Sequence, residues 1–164
     1  MEMADSGSMM KTLLAIAIFG ITTTSVAETL SFPFFRLEVA DGWAHSLERG
    51  SEAHSEVGEL VNIYHPNGTG ILKMQSYSAP DFVNKEILRN ITNIDSSTPL
   101  AWQNWGDYSG YQYDYSEGDS FYRQWWLVND RIIIFIVYDS NTESRDIEID
   151  EINKIVHSIT AITY

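Results

Sequence analysis

Apolar and polar positions run in blocks whose period changes along the chain. Residues 34–39 are aromatic and β-prone, and Ala40-Asp41-Gly42 turns them into a second extended stretch at 43–47. Residues 48–59 hold Glu48, Glu52, Glu56 and Glu59 with two glycines, the composition of a solvated loop or ragged sheet edge. Strands are then expected at 59–65 and 70–78, joined by Pro66-Asn67-Gly68-Thr69, a turn-rich bridge suited to a hairpin. In the second strand Leu72, Met74 and Ser76 share one face and Lys73 and Gln75 the other. Over 81–94 the period becomes helical, with Val83, Ile87, Ile91 and Ile94 as the apolar stripe and Asp81 supplying negative charge near the start.

From Trp102 the pattern returns to strands, at 102–108, 111–116, 120–128 and 131–139. Glu117-Gly118-Asp119 marks one turn. Asn129-Asp130 reads as a two-residue type I′ loop, because both residue types tolerate positive φ. Residues 132–137 are apolar at every position, which belongs to a strand in the middle of a sheet covered on both faces. The last segment is helical again: Ile149, Ile152, Ile155, Val156 and Ile159 form one stripe, with Asp150, Glu151, Lys154 and His157 turned away. The expected class is α+β, an antiparallel β-sheet packed between α-helices.

The N-terminus reads as a targeting segment. Lys11 precedes an apolar run at 12–21 and small residues at Ser25 and Ala27, so a secretory signal cleaved after Ala27 is expected. The run is too short to span a bilayer, which takes about 20 apolar residues. Glu2 and Asp5 are unusual ahead of such a run, and Met9 reads as the natural start. Residues 28–164 then form a single α+β domain, without repeats or interior linkers. The bacterial character of the signal makes the periplasm the expected address. The sequons at Asn67 and Asn90 would matter only in a eukaryote.

Composition narrows the function classes. With 23 acids against 10 bases the formal charge is −13, so a phosphate-tracking face is not expected and no nucleic acid is expected as partner. No membrane span is expected after signal cleavage. The chain has no cysteine, which excludes disulfides, Cys-ligated metals, thiol catalysis and a lipidated Cys anchor. Its absence also suits an oxidising compartment.

The order of elements resembles a known group. A strand running into Asp-Gly-Trp (Asp41, Gly42, Trp43) is followed by a hairpin, a helix and further strands. A Trp-bearing strand at 122–128, a tight turn and the apolar strand 131–138 then lead to a last helix ending in residues 155–159, Ile-Val-His-Ser-Ile. Across most of residues 30–160 this resembles the Mog1/PsbP-like fold, including bacterial envelope proteins of the DcrB and LpqN type. The resemblance implies an antiparallel sheet between helices and a mostly non-catalytic binding or accessory role. Some immunity proteins against secreted effectors are similar in fold. The resemblance carries no shared catalytic set, so it speaks to fold more than to function.

No nucleophile elbow, zinc-protease helix, phosphate loop or dinucleotide fingerprint occurs. The four histidines are scattered, although a triad is defined by geometry rather than by sequence order. An enzyme using His45 or His65 as base would need a buried histidine within reach of a carboxylate. Asp114, Glu117 and Asp119 crowd one hairpin end and could hold calcium, but a solvated acidic turn is the plainer reading. His45 and His54 with the glutamates of 48–56 are weak evidence for zinc, and no cofactor is expected.

Aromatics say more. Tyr111, Tyr113 and Tyr115 share a strand face, and adjacent Trp125 and Trp126 must point to opposite faces. Core packing under a helix accounts for such residues, and so does an aromatic concavity for a partner's anchor residue. The leading expectation is a non-enzymatic periplasmic protein-binding module, in its most concrete form an immunity protein that masks a basic secreted effector. Its candidate partner contacts are Glu48, Glu52, Glu56, Tyr113, Asp114, Glu117 and Asp119. A small-molecule or lipid-binding accessory protein of the envelope is the alternative, and a hydrolase with a His base stands third.

Overall fold

The computed structural model describes residues 27–48 and 57–162. The expected signal segment lies outside them apart from Ala27, as do Glu52, Glu56 and His54. Among the described residues, ten strands and two α-helices follow in chain order: β1 (Glu28–Ser31), β2 (Phe35–Val39), β3 (Ala44–Glu48), β4 (Leu60–Tyr64), β5 (Gly70–Ser78), α1 (Lys85–Ile91), β6 (Gln103–Trp105), β7 (Tyr108–Glu117), β8 (Ser120–Asn129), β9 (Ile132–Asn141), α2 (Ile149–His157) and β10 (Thr160–Ala161). They build a seven-stranded sheet of order β3-β4-β5-β9-β8-β7-β6 and a three-stranded sheet of order β1-β2-β10. Every recorded pairing is antiparallel. This is the expected α+β class. Among the described residues, no helix is long and apolar enough to cross a membrane.

Alternation assigns the faces. On the inner face of the large sheet, Val61, Ile63, Leu72, Met74, Trp125, Leu127, Ile134, Ile136 and Tyr138 are fully or almost fully buried. They share one core with Phe35, Leu37 and Val39 of β2 and with Ile152, Ile155, Val156 and Ile159 of the α2 segment. The α2 stripe is the one read from sequence, with Ile149 at its half-buried margin. Each fully buried Ile or Val contributes roughly 1.5–3 kcal/mol of transfer free energy. Helix α2 and the small sheet therefore cover the inner face together. Strand β10 was missed because two residues carry no readable period, and β1 because only Leu30 of its four residues is buried.

Three local expectations are corrected. Helix α1 begins at Lys85, capped by the Asn84 side chain, which accepts from the Ile87 N–H at 2.9 Å. Val83 thus precedes the helix and cannot share its stripe: Leu88 is the residue driven into the core, while Ile87 and Ile91 are exposed. The β8–β9 loop is shifted by one residue. Asn129 pairs with Ile132, so the loop residues are Asp130 and Arg131, and positive φ falls on Asp130 but not Arg131. That is the type II′ pattern rather than type I′. Finally, the strand expected over 102–108 breaks at Gly106, whose φ of 56° turns β6 back onto β7.

Glu148 secures the β4–β5 turn to the start of α2. Its buried carboxylate accepts N–H bonds from Thr69 and Gly70, both at 3.0 Å, and longer bonds from the Thr69 and Tyr138 hydroxyls, both at 3.3 Å. Gly68 has to be glycine here, because a Cβ would run into Glu148 Oε1.

Candidate functional site

The outer face of the large sheet is laid out by strand register. From β7 towards β4, one row across it reads Tyr111, Trp126, Phe135, Gln75, Leu60. The next reads Tyr113, Gln124, Val137, Lys73, Asn62, and the third reads Tyr115, Tyr122, Asp139, Ile71. Glu117 and Ser120 close the face at the β7–β8 turn. The Gly118-Asp119 turn fixes this register, and slipping it by one residue would send every tyrosine to the other face.

Helix α1 covers only one end of this face. Val83 and Leu88 pack on Tyr111, Val128 and Ile133 as a second small core, with Tyr77, Trp102 and Trp126 at its margin. Trp102 meets Tyr111 edge-on at 5.2 Å, and the Tyr111 hydroxyl donates to the Lys85 carbonyl at 3.3 Å. A seven-residue helix is about 10 Å long, whereas a ten-residue strand runs about 33 Å. The expectation that β9 is covered on both faces is thus met only in part. Strand β9 is the central strand, but on its outer face Ile133 is buried while Phe135 and Val137 are half-buried.

Beyond α1 the floor is aromatic. Tyr113 and Tyr115 stack at 5.7 Å and 19°, and Tyr115 and Tyr122 stack across the strands at 4.9 Å and 21°. Trp126 and Phe135 lie 4.2 Å apart between this stack and the helix-covered end. A cleft of about 350 Å³ is lined by Tyr115, Tyr122, Phe135, Val137 and Leu60, with Gln75, Gln124, Lys73 and Asp139 supplying polar groups. Gln124 donates to the Tyr115 hydroxyl at 3.1 Å, and Lys73 reaches Asp139 at 3.5 Å. Burial pushes the Tyr115 phenol pKa up; the Gln124 hydrogen bond opposes this, and nearby Tyr122, Glu117 and Asp139 add to it. The phenol therefore stays neutral and keeps its hydrogen-bonding tip.

The sequence-derived contacts fall in different places. Tyr113 belongs to the stack, and Glu117 lies exposed on the same face. Asp119 sits in the adjoining turn and lines a shallower cleft that also reaches Asp139. Glu48 lies at the far edge, where it accepts from Asn62 Nδ2 at 2.6 Å. Asp114 points to the inner face and is held by Arg123 at 2.8 and 2.6 Å, so it cannot converge with Glu117 on a metal. Among the described residues no group of three or more His, Asp or Glu could hold a metal ion. None of His45, His65 and His157 is buried: His65 Nδ1 accepts from the Asn67 N–H, and His157 stacks on Trp105.

Tyr115, Tyr122, Phe135, Val137 and Asp139 were absent from the sequence-derived set. The apolar pattern held no signal of this: a helix over 81–94 would be about 21 Å long and would span the doubly apolar stretch 132–137, about 20 Å of strand. The shortfall arises because α1 runs only from Lys85 to Ile91.

No protein-family model matches the chain, and no curated protein matches it in sequence. Solved structures do match in shape. A cyanobacterial PsbP (CyanoP) from Synechocystis sp. PCC 6803 superposes with a TM-score of 0.58 at 9% identity, covering 87% of this chain and 96% of its own. LpqN from Mycobacterium tuberculosis, described as involved in cell envelope biogenesis, gives 0.53 at 14% identity, with 85% and 92% covered. A protein from Bacteroides thetaiotaomicron VPI-5482 gives 0.57 at 13% identity over 79% of this chain. The chain spans only 45% of that longer structure. At these identities the likeness speaks to fold, and the chain has the Mog1/PsbP-like α+β fold.

Proposed function

We propose that this chain is a non-enzymatic, exported protein-binding module of the bacterial cell envelope, and that it docks its partner on the half of the outer sheet face that α1 leaves open. One observation carries the reading: half-buried Tyr113, Tyr115, Tyr122, Phe135 and Val137 form a continuous floor that α1 leaves open. Tyrosines of this kind bury large area while keeping a polar tip, which is why they dominate binding hot spots. The charge of −13 favours encounter with a basic protein. Export rests on the segment at 11–27, and the envelope address also on the fold shared with LpqN. An immunity protein masking a basic secreted effector is the concrete form of this role.

The test is affinity capture from envelope and secreted fractions at low and high salt, with wild type and a Tyr113→Ser/Tyr122→Ser variant of equal folded content as baits. A stoichiometric, salt-sensitive partner lost by the variant supports the reading. A partner retained equally by the variant overturns the assignment to this face. A small apolar ligand is the second reading, favoured by a cleft at the lower end of the 300–1,000 Å³ range usual for ligand sites. Native mass spectra with a retained small molecule would favour it.

A further inference from the structure

Resting on that docking reading, we propose that the partner presents an arginine to the open end of the tyrosine stack, beside Glu117 and Asp139. Register places the groups. Tyr115 pairs with Tyr122, and Tyr122 pairs with Asp139 on its other side. Asp139 is thus one strand over, at about 4.8 Å between strands, and Glu117 is two residues beyond Tyr115, at about 7 Å along the strand. Both carboxylates bear on the Tyr115 phenol, so the acids and the aromatic stack occupy one locality.

Among the described residues, that locality carries negative charge that is only partly compensated. Lys73 pairs with Asp139, and the contact is long and partly solvated, 3.5 Å with side chains 43% and 32% exposed. An exposed pair of this kind contributes about 0–1 kcal/mol, so Asp139 remains available to a better partner. Glu117 has no ion-pair partner among the described residues. A cation is therefore the complement, and its shape is selected by the neighbours. Flat tyrosine rings beside carboxylates suit a planar guanidinium, which stacks on aromatic faces while its forked N–H groups bind a carboxylate. A lysine ammonium gains the charge term but lacks the planar fork. The chain satisfies an arginine of its own in the same way on the inner face. Arg123 lies over Trp125 at 6.0 Å and gives its fork to Asp114 at 2.8 and 2.6 Å.

The experiment is an NMR titration of the full, isotope-labelled protein with acetyl-Gly-Arg-Gly-amide and, separately, acetyl-Gly-Lys-Gly-amide at equal ionic strength. The rings of Tyr113, Tyr115 and Tyr122 should shift and saturate, with the arginine peptide binding about fivefold more tightly than the lysine peptide. Glu117→Gln and Asp139→Asn, checked for unchanged amide spectra elsewhere, should each weaken the arginine peptide several-fold. Equal affinity for both peptides, or shifts confined to acids away from the stack such as Glu143 and Asp146, overturns the assignment. The two claims separate cleanly. If the Tyr113→Ser/Tyr122→Ser bait loses a captured protein while the peptides bind alike, docking stands and the arginine assignment falls. If the arginine peptide binds the stack and no protein is captured there, the subsite stands and the docking reading falls.

Discussion

Replacing Glu148 by alanine should destabilise the protein by about 3 kcal/mol, the sum of a few terms visible at that residue. Glu148 is 9% exposed as a residue, and its carboxylate accepts two backbone N–H bonds of 3.0 Å. Hydrogen bonds to a charged group are worth about 1.5–3 kcal/mol each when measured by removal. Thr69 is exposed, so water restores part of what its N–H loses. The Tyr138 hydroxyl, on a fully buried residue, would lose this acceptor but keep the Ser140 and Thr69 side chains as partners, so its loss adds about 1 kcal/mol. Glu148→Gln retains an acceptor oxygen and should lose only about 1–2 kcal/mol. Urea unfolding followed by tryptophan fluorescence reads the difference: with m near 2 kcal/mol/M, alanine should lower the midpoint by about 1.5 M. Gly68→Ala supplies a coupled check, since its Cβ would meet Glu148 Oε1. It should cost less in the Glu148→Ala background than in wild type, although the His65 carbonyl, 2.9 Å from the added Cβ, keeps a residual penalty; such non-additivity is expected for groups in contact. A loss below about 1 kcal/mol for alanine, or an additive cycle with Gly68→Ala, would refute the anchoring role.

Ile155→Ala, in the shared core, should cost about 2–5 kcal/mol, whereas exposed Ile87→Ala should stay within about 0.5 kcal/mol; the same urea experiment compares them. Alkaline pH should unfold the protein. Burial raises the Tyr108 and Tyr138 phenol pKa values above the usual 10.0, with nearby Asp107 adding at Tyr108 and Glu148 at Tyr138. A raised folded-state value means that the associated stability is fully present below about pH 10 and is lost as pH rises through the folded-state values. Part of the tyrosinate absorbance should therefore appear together with loss of ellipticity; full tyrosinate formation with ellipticity unchanged would contradict this. Tyr108→Phe should move that midpoint to higher pH, while giving up a 3.0 Å hydrogen bond to the Phe34 carbonyl worth about 1 kcal/mol.

Legibility in the sequence followed the length and regularity of each pattern. The α2 stripe, the β5 alternation and the doubly apolar β9 were readable because burial repeats over several periods. Helix α1 was misphased because Val83 sits before the Asn84 cap and mimics a stripe position, so Leu88 rather than Ile87 took the inward place. The small sheet escaped notice because β10 has two residues and β1 one buried side chain. At the proposed site, Tyr113 stood out in the sequence because alternate strand residues share a face, and Glu117 because it belongs to the acidic Glu117-Gly118-Asp119 turn. Tyr122 and Asp139 were not, since placing them beside Tyr115 requires the β7–β8–β9 register. Asp114 shows the opposite failure: its acidity was visible, but its pairing with Arg123 across the strands was not.

The most direct test is a hydrogen-exchange footprint of the protein with its captured partner bound. Docking on the open sheet face should slow exchange at the β7–β8 turn end of β7, β8 and β9, and leave α2 and the small sheet unchanged. Protection concentrated on α2 and the β1-β2-β10 sheet, with no change around Tyr113, Tyr115 and Tyr122, would contradict the account.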